Sequence, residues 1–188
     1  FEGAEILGDN TDGAGLLRDL RVNLGCAITG QRVLLLGAGG AARGVVAPLL
    51  EQRPAALLIA NRNALRAQEL AQRFAASAAA ALPRGCGYPE LSGQSFDLVI
   101  NATSASLAGA LPPLPPAVFA SASLAYDMMY GKGDTPFLTF ARAQGAARLA
   151  DGLGMLVEQA AEAFHFWRGV RPDSAPVIAA LRAAGPAA

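Results

Sequence analysis

Charge is scarce in this sequence. Only 16% of its 188 residues are charged, acids and bases balance at 15 each, and the formal net charge is zero. No basic stripe runs along any segment, which argues against nucleic acid as a partner. There is one lysine, Lys132, and one histidine, His165. With no spaced cluster of His, Cys, Asp or Glu, no metal is expected. The two cysteines, Cys26 and Cys86, are far apart and form no disulfide framework. They read as reduced, partly buried thiols of a cytosolic protein. No apolar run reaches membrane-spanning length and no signal-peptide pattern is visible, so neither a membrane nor an export route is expected. The chain opens on Phe1 rather than Met, which reads as a processed or truncated piece of something longer. What is plentiful is apolar surface. A hydrophobic fraction of 53% can fill the core of one domain without metal or disulfide help.

The most informative stretch is RVLLLGAGGAARG, residues 32–44. Residues 33–36 are a continuous apolar run, the pattern of a strand buried on both faces. The run stops at Gly37, Ala38, Gly39 and Gly40, and a helical pattern through Val45, Val46, Leu49 and Leu50 follows. Strand, glycine turn and helix start in that order suit a dinucleotide diphosphate. Glycines let backbone approach the anion, and the helix start offers unpaired N–H groups and partial positive charge. Ala42 stands where G-x-G-x-x-G would place its third glycine, an accepted variant. The plain alternative is a tight strand-to-helix connection.

The rest of the chain keeps the alternation. Asp9 to Gly13 offers helix-capping side chains, and Leu16, Leu17, Leu20 and Leu24 follow at helical spacing until Gly25. Residues 1–8 resemble the tail of a strand. Further strands are expected at 56–60, 85–88, 98–100, 123–126 and 148–150. Helices are expected at 65–82, with Leu65, Leu70 and Phe74 facing inward, and at 136–144, 155–168 and 175–184. Residues 106–116 read as a proline-rich loop. This pattern predicts an α/β, Rossmann-like doubly wound parallel sheet of about six strands with helices on both faces.

In such a fold, polar residues at strand carboxyl ends face the ligand crevice. Asn101, Ala102, Thr103 and Ser104 follow the fourth strand there. After the second strand come Asn61, Arg62 and Asn63, with Arg66 one helical turn on. An acid at this point would bind a ribose 2′-hydroxyl. Two guanidiniums instead suit a 2′-phosphate, so NADP is favoured over NAD. The alternative is two solvated surface arginines. Acid/base candidates near the crevice are Asp12, Asp127, Tyr130, Lys132, Asp151 and Gln159. Gly152, Met155 and Gln159 share a helical face and could line a pocket together, although Gln159 could equally be a polar residue in an Ala-rich helix. Lys132, between glycines, suits a surface or cofactor-contacting role. His165, among Phe164, Phe166 and Trp167, suits packing or a helix end.

Taken in order, these motifs resemble the shikimate dehydrogenase family over nearly the whole chain. The match rests on GDNTDG at 8–13, the glycine turn, Asn61-Arg62 with Arg66, NATS at 101–104, YDM with Tyr130, and DGLGML at 151–156 with Gln159. The resemblance implies reduction of 3-dehydroshikimate to shikimate with NADPH, in aromatic amino acid biosynthesis in the cytoplasm. It implies cofactor contacts from Gly37, Ala38, Gly39, Gly40, Ala41, Asn61, Arg62, Asn63, Ala64, Leu65, Arg66, Thr103, Met128, Gly152 and Met155. Substrate would meet Asp12, Tyr130 and Gln159. Asp12 would also be the acid of a catalytic Lys–Asp pair, and could be a helix N-cap as well. The family's lysine lies in an N-terminal domain before residue 10, and Lys132 matches a different position. The implied organisation is a remnant of that domain at 1–12, a linking helix at 13–31, an NADP-binding domain at 32–151, and C-terminal helices at 152–188 that pack back toward the substrate lobe. The chain as given is expected to bind NADP(H) with little or no turnover. An NAD-using quinate/shikimate dehydrogenase and a non-catalytic nucleotide-binding module are the alternatives. A homodimer is left open.

Overall fold

The computed structural model describes residues 8, 10–77, 82–104, 110–131 and 133–184. Six strands form the centre: β1 (Arg32–Leu36), β2 (Ala56–Ala60), β3 (Arg84–Cys86), β4 (Phe96–Asn101), β5 (Phe119–Asp127) and β6 (Arg148–Asp151). All neighbours are parallel, in the order β3-β2-β1-β4-β5-β6. That is the dinucleotide-fold order, and it reverses direction between β1 and β4. Successive residues of β1 serve opposite cores. Val33 and Leu35 pack with Val45, Leu49, Ile59 and Ile100, whereas Leu34 and Leu36 pack with Val99, Phe96, Phe137 and Leu138. A strand with two apolar faces is therefore satisfied only inside a layered sheet.

Among the described residues there are six α-helices: α1 (Asp12–Arg18), α2 (Gly40–Glu51), α3 (Ala64–Phe74), α4 (Pro136–Ala143), α5 (Leu153–Arg168) and α6 (Ala175–Ala184), the last resting on α5 with no buried residue. Helix α1 lies against α2 and α5. Both approaches need glycine. A Cβ on Gly13 would fall 2.3 Å from the Pro48 ring, and one on Gly15 would fall 2.8 Å from Gln159. Thr135 caps α4, its hydroxyl accepting from the Leu138 amide at 3.3 Å, with Pro136 in the first turn.

Several sequence-based boundaries move. The first helix does not run unbroken to Leu24. It widens at Asp19–Asn23 into a π-helical turn, and Gly25 then takes a positive φ of 58°. Helix α3 ends at Phe74 rather than at residue 82, and Leu65 points outward at 66% exposure. The helix begins at Ala64, so its inner face is Ala67, Leu70 and Ala71, and Leu65 falls on the opposite side. Strand β3 is Arg84–Cys86, not 85–88. Pro89 helps turn Tyr88–Leu91 into a 3₁₀ segment. Strands β4 and β5 extend further than expected, with a register shift between Phe96 and Leu98. Residues 1–7 of the strand expected over 1–8, part of the loop over 106–116, and Lys132 lie outside the described residues.

Candidate functional site

At the carboxyl ends of β1, β4 and β5 a cleft of about 810 Å³ opens. Its floor is stitched by backbone bonds between neighbouring strand ends. The Gly37 amide donates to Ala60, the Ala102 amide to Leu36, and the Met128 amide to Asn101. This is the switch point, where strand order reverses and connections leave on both sides.

One wall is the glycine turn. Gly37 has φ of +106°, a conformation that disfavours any side chain, and a Cβ there would come 3.0 Å from the Ala102 carbonyl. Gly39 and Gly40 differ. Gly39 is in ordinary extended backbone, and a Cβ on either residue would meet nothing within 4 Å. Among the described residues neither packing nor conformation calls for glycine at these positions, yet both line the cleft. No side chain caps α2, so its first-turn amides face the opening with no acceptor inside the helix. This cradle fits a diphosphate, because a methyl group at Gly39 or Gly40 would project into unfilled space beside the helix start.

Asn61 and Arg62 reach the same cleft, and Arg62 and Arg66 form no ion pair among the described residues. The structure does not bring Asn63, Ala64, Leu65 or Arg66 onto the cleft wall. The Asn63 side chain is spent on capping α3, where it accepts from the Leu65 amide at 3.1 Å. Thr103, Met128, Gly152 and Met155 also line the cleft. Gly152 is pressed against the turn that follows β5, where a Cβ would fall 2.1 Å from the Met128 carbonyl. Asp12, Tyr130 and Gln159 line the cleft as well. Asp12 is the first residue of α1, not its cap. Its amide donates to Asn10 Oδ1 at 2.7 Å, and Asn10 Nδ2 donates back to its carboxylate at 3.3 Å.

Some of the wall was not foreseen. Tyr88 lines the cleft beside Arg62, although the sequence pattern placed it in a strand. Its place just past the carboxyl end of β3 was the available signal. Leu111, Pro113 and Leu156 also line it. His165 is exposed near the end of α5 and Asp151 is paired with Arg182 at 3.0 Å, so neither faces the cleft. Cys86 is buried, and burial, with the nearby Glu90 charge, pushes its thiol up to about 11. Among the described residues no group of three or more metal-ligating side chains occurs, and no helix is long and apolar enough to cross a membrane.

Comparison with known proteins gives this cleft a lineage. Residues 21–108 match the family model described as Shikimate / quinate 5-dehydrogenase, and residues 152–182 match that of the Shikimate 5'-dehydrogenase C-terminal domain. A shikimate dehydrogenase (NADP(+)) of Dechloromonas aromatica is 67% identical over 184 residues, 97% of this chain and 66% of that protein. The corresponding Methylobacillus flagellatus protein is 58% identical, over 98% of this chain and 67% of its own length. The chain thus spans about two thirds of the length of these relatives. Among solved structures, shikimate 5-dehydrogenase of Thermus thermophilus, in complex with NADP(H) and shikimate, superposes with a TM-score of 0.77 at 34% identity, covering 94% of this chain and 63% of that one. At 58% identity over 67% of the length of the Methylobacillus flagellatus protein, and with the fold shared with solved shikimate dehydrogenases, the chain belongs to the shikimate dehydrogenase family.

Proposed function

We propose that this chain forms the NADP(H)-binding part of a cytoplasmic enzyme that reduces 3-dehydroshikimate to shikimate. The observation that carries the reading is the pair Gly39 and Gly40, two side-chain-free positions that the fold itself does not need. Bound NADPH supplies the hydride. The backbone at Gly37, Ala38, Gly39, Gly40 and Ala41 holds the diphosphate at the start of α2. Arg62, which reaches the cleft, takes the 2′-phosphate, Arg66 one turn on adds positive charge from outside the cleft wall, and Asn61 and Asn63 shape that turn. Thr103, Met128, Gly152 and Met155 enclose the nicotinamide in a largely apolar wall that excludes water. Tyr130 and Gln159 hold substrate hydroxyls. Asp12 keeps a lysine charged and oriented for proton exchange with the substrate.

The only lysine in the sequence is Lys132, whose position does not match that partner. The polypeptide alone therefore binds cofactor with little turnover. Exposed Phe166, Trp167 and Val170 at the end of α5 support the reading that residues 152–188 pack against a substrate lobe. The test is a titration with NADPH and NADH. NADPH binds more tightly, and Arg62→Ala weakens NADPH by at least about tenfold while leaving NADH nearly unchanged. Equal affinities, or an Arg62→Ala change that affects both alike, would refute the 2′-phosphate assignment.

A further inference from the structure

Asp127 does not line the cleft, yet three residues that do, Thr103, Met128 and Gly152, sit on segments tied to it. It is the last residue of β5, fully buried, and lies in register with Asn101, the last residue of β4. One carboxylate oxygen accepts from Asn101 Nδ2 at 3.0 Å and from the Met129 amide at 3.1 Å. The other accepts from the Thr135 hydroxyl at 2.5 Å. Each tether continues to the wall. Asn101 Oδ1 accepts from both the amide and the hydroxyl of Thr103, at 3.1 and 2.7 Å. The Met129 carbonyl accepts from the Gly152 amide at 3.1 Å. Thr135 in turn caps α4.

Three donors from the described residues on one buried carboxyl group suit its ionised form, which only accepts. An amide of the same shape would set an N–H₂ group against at least one of these donors and leave that donor unsatisfied. The geometry points to Asp127 as the positioning residue for the nicotinamide end of the cleft. Through Asn101 it sets Thr103, and through the Met129 amide it sets the Met128–Gly152 contact. Among the described residues neither the glycine turn nor Arg62 is hydrogen-bonded to Asp127, although Thr103 itself lies against Gly37. This inference rests on the NADP reading, and it predicts an effect confined to one half of the ligand.

The test compares two probes on the full chain: NADP⁺, and 2′-phosphoadenosine 5′-diphosphoribose, which has the same phosphates and adenosine but no nicotinamide. Asp127→Asn is expected to weaken NADP⁺ by at least about tenfold and to change the shorter probe by less than about twofold. Thr135→Val should show the same selective loss and Thr135→Ser should restore binding. That pair keeps the question answerable if Asp127→Asn fails to fold. Equal losses on both probes, or no loss on either, would overturn the inference. Failure of the unaltered chain to bind either probe would instead sink the NADP reading beneath it.

Discussion

The Tyr126 hydroxyl donates to the Asp19 carboxylate at 2.7 Å, in the interior, across 107 positions of sequence. Tyr126 is on β5 and Asp19 opens the π-helical turn after α1, so this bond fixes the turn to the sheet. Asn23 donates to the other Asp19 oxygen at 2.9 Å and also to Glu158 on α5 at 3.1 Å. Burial raises the Asp19 carboxyl pKa despite the Tyr126 and Asn23 bonds, and burial followed by the Asp19 charge raises that of Tyr126.

Tyr126→Phe should destabilise the chain by about 1–3 kcal/mol, because Asp19 stays buried and loses a donor. Gly154→Ala should cost at least as much, since its Cβ would fall 2.0 Å from Asp19 Oδ1. Urea unfolding monitored by circular dichroism measures both. A Tyr126→Phe midpoint equal to that of the unaltered chain would contradict this account of the buried bond.

Acid should act on Glu158 and Asp19 in opposite senses. Burial alone would raise Glu158, but bonds from Ser174, Asn23 and Arg171 and the Arg18 charge hold its pKa below the usual 4.5. Its stabilising contribution is therefore present above that value and is lost as pH falls through the lower, folded-state value. Asp19, raised above 3.8, contributes most below that value and loses its contribution as pH rises through the raised one. Glu158→Gln should thus lower stability at neutral pH and converge toward the unaltered chain in acid. Asp19→Asn should compare less favourably with the unaltered chain as the pH is lowered. Stability curves collected across the acid range check both slopes.

Glycines should separate into two classes. Gly39→Ala should leave stability within about 0.5 kcal/mol of the unaltered chain while weakening NADPH by at least about tenfold. Gly85→Ala should do the reverse. A Cβ there would fall 2.2 Å from the α3 backbone at Ala67, so it should cost about 1–3 kcal/mol or more, while the folded fraction keeps its affinity. Unfolding curves alongside fluorescence titrations distinguish the two. A Gly39→Ala chain that binds NADPH normally would remove the main support for the diphosphate cradle.

The sheet could be read from residues 33–36, 56–60 and 98–100, because a strand buried on both faces has no polar alternation to disguise it. The cleft followed, because glycines after the first strand and polar residues after the fourth must meet where the strand order reverses. Leu65 went astray because its inward or outward direction depends on where α3 starts. The Asn63 cap sets that start, and a run of helix-forming residues does not reveal it. The π turn at Asp19–Asn23 was hidden for a related reason. Its leucines keep helical spacing, whereas the added width accompanies a bond to Tyr126 more than a hundred residues away. Sequence alone determined the layered fold and the chemical character of the cleft, since apolar periodicity and backbone freedom are local properties. Only the tertiary structure decided that Asp127 stands behind the cleft and Tyr88 within it, because each position depends on strand register and on partners remote in the chain.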